Sequence, residues 1–242
     1  MAQAYDYLAD WFEYLNDDCD YASWSQYFID TIASLGAGRK GLELGCGSGY
    51  FSRALTRAGY EMSGADISSS MLTKASSLAR KEGLRIPFFL ADAAHLKTPE
   101  KYDFIIAPND CYNYIPKAGL PRAFKAAAGA LGSGGIFHFD LSSEYKLREK
   151  VANNIFADDR DDVTYLAFNR LFEDRVEMDV TLFVKQTNGD FRRFDEKHTQ
   201  YIHSEEDVLA SLGAAGFTVL RVEGSLGEDK AGSDRLNFVC RK

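Results

Sequence analysis

The apolar positions of this chain first follow a helical spacing. Between residues 5 and 15, and again between 21 and 35, apolar side chains recur every three or four positions, which predicts two amphipathic helices. Polar residues at 16–18 separate the two stretches and can cap the second helix. We therefore expect residues 1–40 to form a helical segment ahead of the main domain.

From residue 41 onwards, short apolar runs alternate with amphipathic stretches. The apolar runs predict strands at 41–45, 60–66, 87–91, 103–107, 136–141, 217–223 and 235–241. The stretches between them predict helices near 49–58, 69–82, 119–131 and 205–215. This alternation is typical of an α/β protein with a doubly wound parallel sheet and crossover helices on both faces. We assign residues 41–141 and 205–242 to this domain.

Residues 142–204 interrupt the alternation. Around 176–184, apolar and polar positions alternate with a period of two, which predicts a strand with one buried face. Asn188-Gly189 predicts a tight hairpin turn, after which 191–203 returns as the partner strand. The segment is thus predicted to form an inserted antiparallel sheet.

The length of the hairpin loop decides which residues of this sheet share a face. A two-residue turn would place Asp179 opposite His198, on the side away from the valines. Such a pair would belong either to solvated surface or to the floor of a substrate pocket. An odd-numbered loop with a bulge would shift the register and separate the two residues.

Composition narrows the class of protein. The net charge is −8 and Lys and Arg are dispersed, which argues against a nucleic-acid or anionic-membrane interface. Four cysteines and four histidines are scattered without metal-ligand spacing, so no metal is expected. The start of the chain lacks a signal-peptide pattern and no apolar run is long enough for a membrane span, so we expect a reduced, cytoplasmic protein.

The segment 43–49, Glu-Leu-Gly-Cys-Gly-Ser-Gly, carries the strongest chemical signal. Its glycines allow a sharp turn from strand to helix and let a ligand lie against bare backbone. Asp66 follows where a ribose-binding carboxylate belongs in a doubly wound sheet. Tyr50 occupies the third glycine position of a dinucleotide fingerprint, and Glu43 would repel a pyrophosphate. The pattern favours a ligand with a ribose and a cationic amino-acid end.

Five motifs resemble those of class I S-adenosylmethionine (SAM) dependent methyltransferases. They lie, in the family's order, at 43–49, 64–68, 90–93, 102–110 and 131–137. The resemblance implies a Rossmann-like seven-stranded sheet with an antiparallel last strand, an N-terminal helical lid and an acceptor-binding insert. The segments 20–24, 113–114, 139–143 and 196–200 are similar to motifs of bacterial small-molecule and sugar-amine N-methyltransferases and related uncharacterised methyltransferases. Those relatives often have Arg where this chain has Tyr201.

The resemblance also implies where SAM and its product S-adenosylhomocysteine bind. Asp66 would hold the ribose hydroxyls and Asp92 the adenine amino group. The expected cofactor-binding residues are Tyr21, Glu43, Gly45, Cys46, Gly47, Gly49, Asp66, Ile67, Asp92, Ala93 and Asn109. Structural roles are the alternatives: a tight turn at the glycines, a helix cap at Asp66, a loop carboxylate at Asp92 and a core aromatic at Tyr21.

A base would assist transfer to an amine, a hydroxyl or a thiol. His198, oriented by Asp179 or Glu196, is the first candidate, and His138 or Asp140 is the second. The acceptor-binding residues are predicted to be Tyr112, Asn113, Tyr114, His138 and Glu196. A core role is the alternative for His138 and the tyrosines.

The leading hypothesis is a SAM-dependent methyltransferase that acts on a nitrogen or oxygen nucleophile of a small molecule. An RNA or protein methyltransferase is one alternative, and a SAM-binding protein without catalysis is another. A NAD enzyme is a distant fourth. We expect a small-molecule acceptor and no membrane or nucleic-acid partner, and a homodimer stays open.

Overall fold

The computed structural model describes residues 5–242, so residues 1–4 of the predicted helical segment lie outside the described part. The strands in chain order are β1 (Lys40–Leu44), β2 (Glu61–Asp66), β3 (Phe88–Leu90), β4 (Tyr102–Ala107), β5 (Leu131–Ser142), β6 (Ile155–Asp159), β7 (Val163–Leu171), β8 (Arg175–Lys185), β9 (Phe191–Tyr201), β10 (Thr218–Glu223) and β11 (Arg235–Arg241). The α-helices are α1 (Phe12–Leu15), α2 (Tyr21–Ser34), α3 (Tyr50–Arg57), α4 (Ser69–Lys81), α5 (Leu120–Ala130) and α6 (Glu205–Ala214). None of these helices is long and apolar enough to cross a membrane.

The larger sheet has seven strands in the order β10-β11-β5-β4-β1-β2-β3. β11 runs antiparallel to both of its neighbours, and the pairs from β5 to β3 are parallel. The Rossmann-like fold predicted from the sequence is therefore confirmed. The strand order reverses between β1 and β4, where a ligand crevice is expected at the carboxyl ends.

Helices cover both faces of this sheet because successive strand side chains point to opposite sides. On β4, Phe104 and Ile106 pack against α2 and α3, whereas Ile105 packs against the side covered by α5 and α6. Burial of both faces explains why the central strands are almost continuously apolar.

The smaller sheet has four antiparallel strands in the order β6-β7-β8-β9 and lies within the proposed insert, residues 142–204. β8 and β9 match the predicted hairpin, but the apolar spacing of the sequence did not predict β6 or β7. β6 is half-buried or exposed throughout, so it lacks the apolar alternation that identifies a strand.

The predicted register of the β8–β9 hairpin is wrong by one residue. Gln186 donates its N–H to the Asp190 carbonyl at 2.7 Å, which leaves a three-residue loop with Gly189 at φ 88°. A left-handed glycine at this position is typical of three-residue hairpin loops. Consequently His198 pairs with Met178, and Asp179 pairs with Lys197. A one-residue shift exchanges the two faces of a strand.

The predicted helix over residues 5–15 is also wrong. The segment forms a 3₁₀ turn at Leu8–Asp10 and then the short helix α1. Its apolar side chains pack on the inserted sheet, in a cluster with Val163 and Leu182. The backbone N–H groups of Tyr5, Tyr7 and Leu8 donate to the Glu196 carboxylate. These contacts with the insert hold the segment in place without a regular helix.

Candidate active site

A cavity opens at the carboxyl ends of β1 and β4. It encloses about 1030 Å³ of empty space, including the part that is open to solvent. Its floor consists of residues 45–48, Asp66 and Asp92, and the loop 108–115 contributes a wall. Tyr5 and Phe12 also line the cavity and belong to residues 5–18, which we call the lid.

The three glycines of the first motif have different roles. A side chain at Gly45 would lie 2.4 Å from the Cys111 sulfur, so this position requires close backbone approach. Gly47 has φ 51° and open space around it, so its backbone borders the cavity. Gly49 caps α3 at φ 78°, and a side chain there would lie 2.9 Å from the Phe88 ring. Gly49 is absent from the cavity lining, so its role is in the turn and in packing.

Asp66 ties the glycine loop to the end of β2. Its two carboxylate oxygens accept the N–H groups of Gly47 and Ser68, each at 2.8 Å. Burial raises the pKa of this carboxyl, and the two hydrogen bonds oppose the shift. Each oxygen has a second lone pair, so the group can accept two further hydrogen bonds from a diol at the cavity surface.

Glu43 lines the cavity, and one of its carboxyl oxygens points into the protein. That oxygen accepts the backbone N–H of Ser52 at 2.7 Å and also the Ser52 hydroxyl. Burial raises the pKa of Glu43 to about 8, against these hydrogen bonds. The group is thus mostly protonated at pH 7, and a cation brought into the cavity would favour its ionised form.

Asp92 follows β3 at the edge of the same cavity. It caps a short 3₁₀ turn by accepting the Ala94 N–H at 2.8 Å, and it contacts His95 Nδ1 at 2.6 Å. Arg122 donates to His95 Nε2 at 2.6 Å, so the proton of a neutral His95 is on Nδ1 and points to Asp92. Ala93 and the exposed Ile67 line the cavity beside it.

The remaining predicted cofactor residues also reach the cavity. Tyr21 lines it and stacks on Tyr50 with ring centroids 4.5 Å apart. Cys46 borders it at the glycine loop, and Asn109 borders it from the loop after β4. Asn109 has φ 56°, a left-handed conformation that Asn tolerates better than most residues.

A chain of hydrogen bonds runs from the cavity into the inserted sheet. The hydroxyls of Tyr5 and Tyr114, both at the cavity, are 2.7 Å apart. The Tyr114 hydroxyl is 3.3 Å from His198 Nδ1, and His198 Nε2 is 3.1 Å from a Glu196 oxygen. His198 and Glu196 are buried behind the tyrosines. We call these four residues the relay.

The direction of the relay follows from its inner end. Burial opposes ionisation of Glu196, but hydrogen bonds from His198 and from lid backbone N–H groups lower its pKa overall. A carboxylate only accepts hydrogen bonds, so His198 donates from Nε2 and a neutral ring accepts at Nδ1. Tyr114 then donates to His198, and Tyr5 donates to Tyr114. The Tyr5 oxygen keeps lone pairs for a donor in the cavity.

Several predicted catalytic and acceptor-binding residues lie elsewhere. Asp179 does not orient His198, because it is on the exposed face, with ion pairs to Arg170 at 2.9 Å and to Lys197 at 3.3 Å. Glu196 orients His198 instead, and it does not line the cavity. Asp140 is buried in an ion pair with Arg235, and it is also absent from the cavity lining.

Tyr112, Asn113 and His138 are fully buried and do not line the cavity. Tyr112 stacks on Phe124, and Asn113 ties Ser142 to Tyr201 by side-chain hydrogen bonds. Burial lowers the pKa of His138 to about 3. Of the predicted acceptor-binding residues, Tyr114 reaches the cavity.

Tyr5 is the relay residue that sequence reasoning missed. Its backbone and side-chain partners, Glu196 and Tyr114, are 191 and 109 positions away in the chain. An aromatic residue near the start of a chain has no local signature for such contacts, because the spacing predicts only an amphipathic helix.

Comparisons with known proteins agree with this geometry. A family model described as a methyltransferase domain matches residues 42–135. YqeM of Bacillus subtilis (strain 168), a candidate methyltransferase, is 30% identical over 98% of this chain and 97% of its own length. A candidate methyltransferase of Geobacillus sp. (strain WCH70) is 26% identical over 98% of this chain and 99% of its own.

Solved structures extend the likeness to the whole fold. A SAM-dependent methyltransferase of Clostridium acetobutylicum ATCC 824 superposes with a TM-score of 0.88, at 29% identity, over 96% of this chain and 95% of its own. The sugar N-methyltransferase KedS8 of Streptoalloteichus sp ATCC 53650 gives a TM-score of 0.82 at 20% identity, over 100% and 96% of the two chains. The chain belongs to the class I SAM-dependent methyltransferases. It is an enzyme of that family with SAM as its cofactor.

Proposed function

We propose that this enzyme methylates a small molecule at a nitrogen or oxygen atom that carries a removable proton. The relay of Tyr5, Tyr114, His198 and Glu196 is the observation that supports this most directly. Its orientation leaves the Tyr5 oxygen as a hydrogen-bond acceptor at the cavity. Such a group suits an N–H or O–H donor.

The charge of the cavity supports an acceptor without phosphate groups. The ionisable acids that line it are Glu43, Asp66 and Asp92, and none of the described lining residues is Lys, Arg or His. A polyanionic substrate would meet no counter-charge there. KedS8 is a sugar N-methyltransferase, whereas a relative from Methylococcus capsulatus, matched over 49% of this chain, is an O-methyltransferase of ubiquinone biosynthesis. These relatives leave both kinds of nucleophile open.

The floor residues fit the cofactor that the family uses. We propose that Asp66 accepts hydrogen bonds from its ribose hydroxyls, Asp92 from its adenine amino group and Glu43 from its ammonium group. Gly45 and Gly47 offer backbone without side chains beside them. Bound SAM supplies an electrophilic methyl group attached to a sulfonium sulfur, and no acid is needed because this sulfur leaves as a neutral thioether.

The protein's remaining tasks are to position the acceptor, exclude water and remove a proton. Tyr5 and Phe12 bring aromatic surface from the lid to the cavity, next to Tyr114. The acceptor's proton would pass to Tyr5 while the Tyr5 proton moves to Tyr114 and the Tyr114 proton to His198 Nδ1. Glu196 would stabilise the resulting imidazolium through Nε2–H.

The test compares His198→Gln and Glu196→Gln with the matched control Asp179→Asn. Methyl-labelled SAM is incubated with fractions of a small-metabolite extract to find the acceptor, and kcat is then measured for each variant. Loss of a general base lowers the rate by about 10²- to 10⁴-fold, which we expect for the first two variants. Asp179→Asn should keep the wild-type rate, because Asp179 faces away from the relay.

The affinity for SAM, measured by calorimetry, should remain within a few-fold of wild type in all three variants. Equal rates in His198→Gln and wild type would reject the relay as the proton path. Binding of SAM without label transfer to any fraction would instead favour a non-catalytic SAM-binding protein or a macromolecular acceptor.

A further inference from the structure

A second group of buried charges lies beside the cavity and takes no part in the relay. Asp110, Asp140, Arg235 and Lys146 come from the loop after β4, from β5, from β11 and from the segment after β5. The Asp140 side chain is 2% exposed, and those of Asp110 and Arg235 are 14% and 18% exposed. Burying charges is costly unless they are paired, so a specific arrangement must hold them.

Asp110 is the centre of this group. Arg235 Nη1 is 3.2 Å from one Asp110 oxygen and also donates to Asp140. The other Asp110 oxygen accepts a hydrogen bond from Gln200 of β9 and lies 3.4 Å from the Ser142 hydroxyl. The Asp110 backbone N–H donates to Asp140 at 3.1 Å. Asp110 is therefore held from β5, β9 and β11 at once.

The residue before Asp110 reaches the cofactor cavity. Asn109 and Asp110 have φ values of 56° and 52°, so two consecutive residues adopt the left-handed conformation. This conformation is less stable than the right-handed one for any residue with a side chain and persists only where the surroundings fix it. The contacts of the Asp110 carboxylate surround this turn, and Asn109 lines the cavity beside it.

We propose that Arg235 is a positioning residue for the cofactor site, which acts with Gln200 through Asp110 to hold Asn109 at the cavity. Arg235 and Gln200 are themselves absent from the cavity lining. Both contact Asp110, whose neighbour Asn109 borders the cavity. The inference rests on family membership and not on the relay.

An immediate consequence concerns the insert. Gln200 belongs to β9, so the position of the inserted sheet bears directly on the loop that borders the cofactor. Asn113 reinforces this connection, because its amide donates to the Tyr201 carbonyl at 2.9 Å and accepts the Ser142 N–H at 2.9 Å. The insert would then influence the affinity for SAM as well as the acceptor.

The test is a double-mutant cycle on the affinity for S-adenosylhomocysteine, measured by calorimetry without any turnover. Asn109→Gly removes the side chain and keeps the positive φ, which glycine adopts freely. Arg235→Met removes the guanidinium group that contacts Asp110 and Asp140. Each should raise Kd by about 10-fold, and the double variant should be no weaker than either single, since residues that act in series are not additive.

Arg235→Met removes the cation paired with both carboxyls and leaves Lys146 as the remaining positive charge of the group, so its folding is checked by thermal melting. Gln200→Leu provides a second route, because it keeps both ion pairs of Arg235. We expect it to raise Kd about 3-fold in the wild-type background and to have no effect in Asn109→Gly. Arg175→Met is the matched control, because Arg175 pairs with Asp174 and Glu177 on the insert, away from the cavity.

A folded Arg235→Met or Gln200→Leu variant with wild-type Kd would overturn the proposal. Effects that add in full to that of Asn109→Gly would also overturn it, because the residues would then act independently. An equal Kd increase in Arg175→Met would point to a general loss of stability and reject a specific role for Arg235.

Discussion

The floor of the cavity and its lid are held by different kinds of contact. On the floor, Asp66 binds the backbone of Gly47 and Ser68, and Asp92 binds the backbone of Ala94. These partners lie at most 19 positions apart. The lid instead packs its apolar side chains on the inserted sheet and gives its first backbone N–H groups to Glu196, 188 to 191 positions away.

Because of this difference, we expect the floor to set the affinity for SAM and the lid to set its rate of dissociation. Local hydrogen bonds at the strand ends hold the floor in place, so changes there should alter the affinity for SAM directly. The lid contacts the glycine loop and the helices beside it through a few polar groups, namely Glu13 with Ser48 and Arg53, and Asp10 with Lys74. Changes in the lid should therefore raise the dissociation rate of SAM, and they should lower its affinity less than changes in the floor do.

The largest effect is expected at Gly45. Gly45→Ala forces a side chain to within 2.4 Å of the Cys111 sulfur at a φ of 65°, and the Cys111 Cβ is only 2.9 Å away. The glycine loop must shift, so binding of SAM should fall by at least about 100-fold, since that shift moves the Asp66 partner Gly47 as well. Calorimetry measures the loss.

Gly83→Ala is the control for backbone strain, because Gly83 has φ 72°, no neighbour within 4 Å and no place in the cavity lining. It should bind SAM normally. Adding Cys111→Gly to Gly45→Ala should restore part of the binding. Failure of that rescue, with a folded protein, would show that the Cys111 contact is not what makes Gly45 necessary.

The second largest effect is expected at Asp66. Asp66→Ala removes an acceptor of hydrogen bonds that, to a charged group, contribute about 1.5–3 kcal/mol each, so Kd for SAM should rise by about 100-fold. Asp103→Ala is matched to it, because Asp103 also accepts a backbone N–H, that of Lys40 at 2.9 Å, but away from the cavity. Equal losses in the two variants would contradict a ribose-binding role for Asp66.

The floor and the larger sheet could be predicted from the sequence because their determinants are local. Three glycines, an apolar run and an acid at its end all lie within the segment 41–66. The strand-to-helix turn and the carboxylate proposed to bind the ribose both depend on residues within this short segment. Gly49 shows the limit of such reasoning, since its motif position predicted ligand contact but its neighbour is the ring of Phe88.

The lid and the relay could not be predicted in the same way. The side of the sheet on which His198 lies depends on one residue in the hairpin loop, and the sequence Asn188-Gly189 is compatible with loops of two or three residues. His198 was therefore assigned to the wrong face, away from the valines and beside Asp179. The hydroxyl contact between Tyr5 and Tyr114 depends on how the lid packs on the insert, which no single segment specifies.

A smaller effect is expected from the titration of Glu43. Its pKa is raised to about 8 in the folded protein, so the folded state holds this proton more tightly than the unfolded state. Its contribution to the free energy of unfolding is therefore complete below about pH 4.5 and is lost as the pH rises through about 8. Urea denaturation of wild type and Glu43→Gln at several pH values should show the variant gaining relative stability as the pH rises.

The same group links the affinity for SAM to pH. An ammonium group beside Glu43 favours the carboxylate, so binding below pH 8 should release a proton from it. Affinity should rise by at most about tenfold per pH unit, because one proton is involved. Calorimetry in buffers of different ionisation enthalpy counts the protons, and identical counts in wild type and Glu43→Gln would exclude Glu43 as their source.

The smallest effect is expected at the contact between lid and floor. Glu13 accepts a hydrogen bond from the Ser48 hydroxyl at 2.6 Å and one from Arg53 at 2.9 Å, and its side chain is 29% exposed. Glu13→Gln weakens both bonds but leaves the apolar contacts of the lid with the insert, so SAM should dissociate about 2- to 5-fold faster at nearly unchanged association rate.

Asp10→Asn is the control, because its carboxylate is 82% exposed and 3.5 Å from Lys74, a pair that contributes little. Stopped-flow measurement of dissociation distinguishes the two variants. If Glu13→Gln slowed association and left dissociation unchanged, the lid would control entry of the cofactor and not its residence, and the contrast between floor and lid would have to be redrawn.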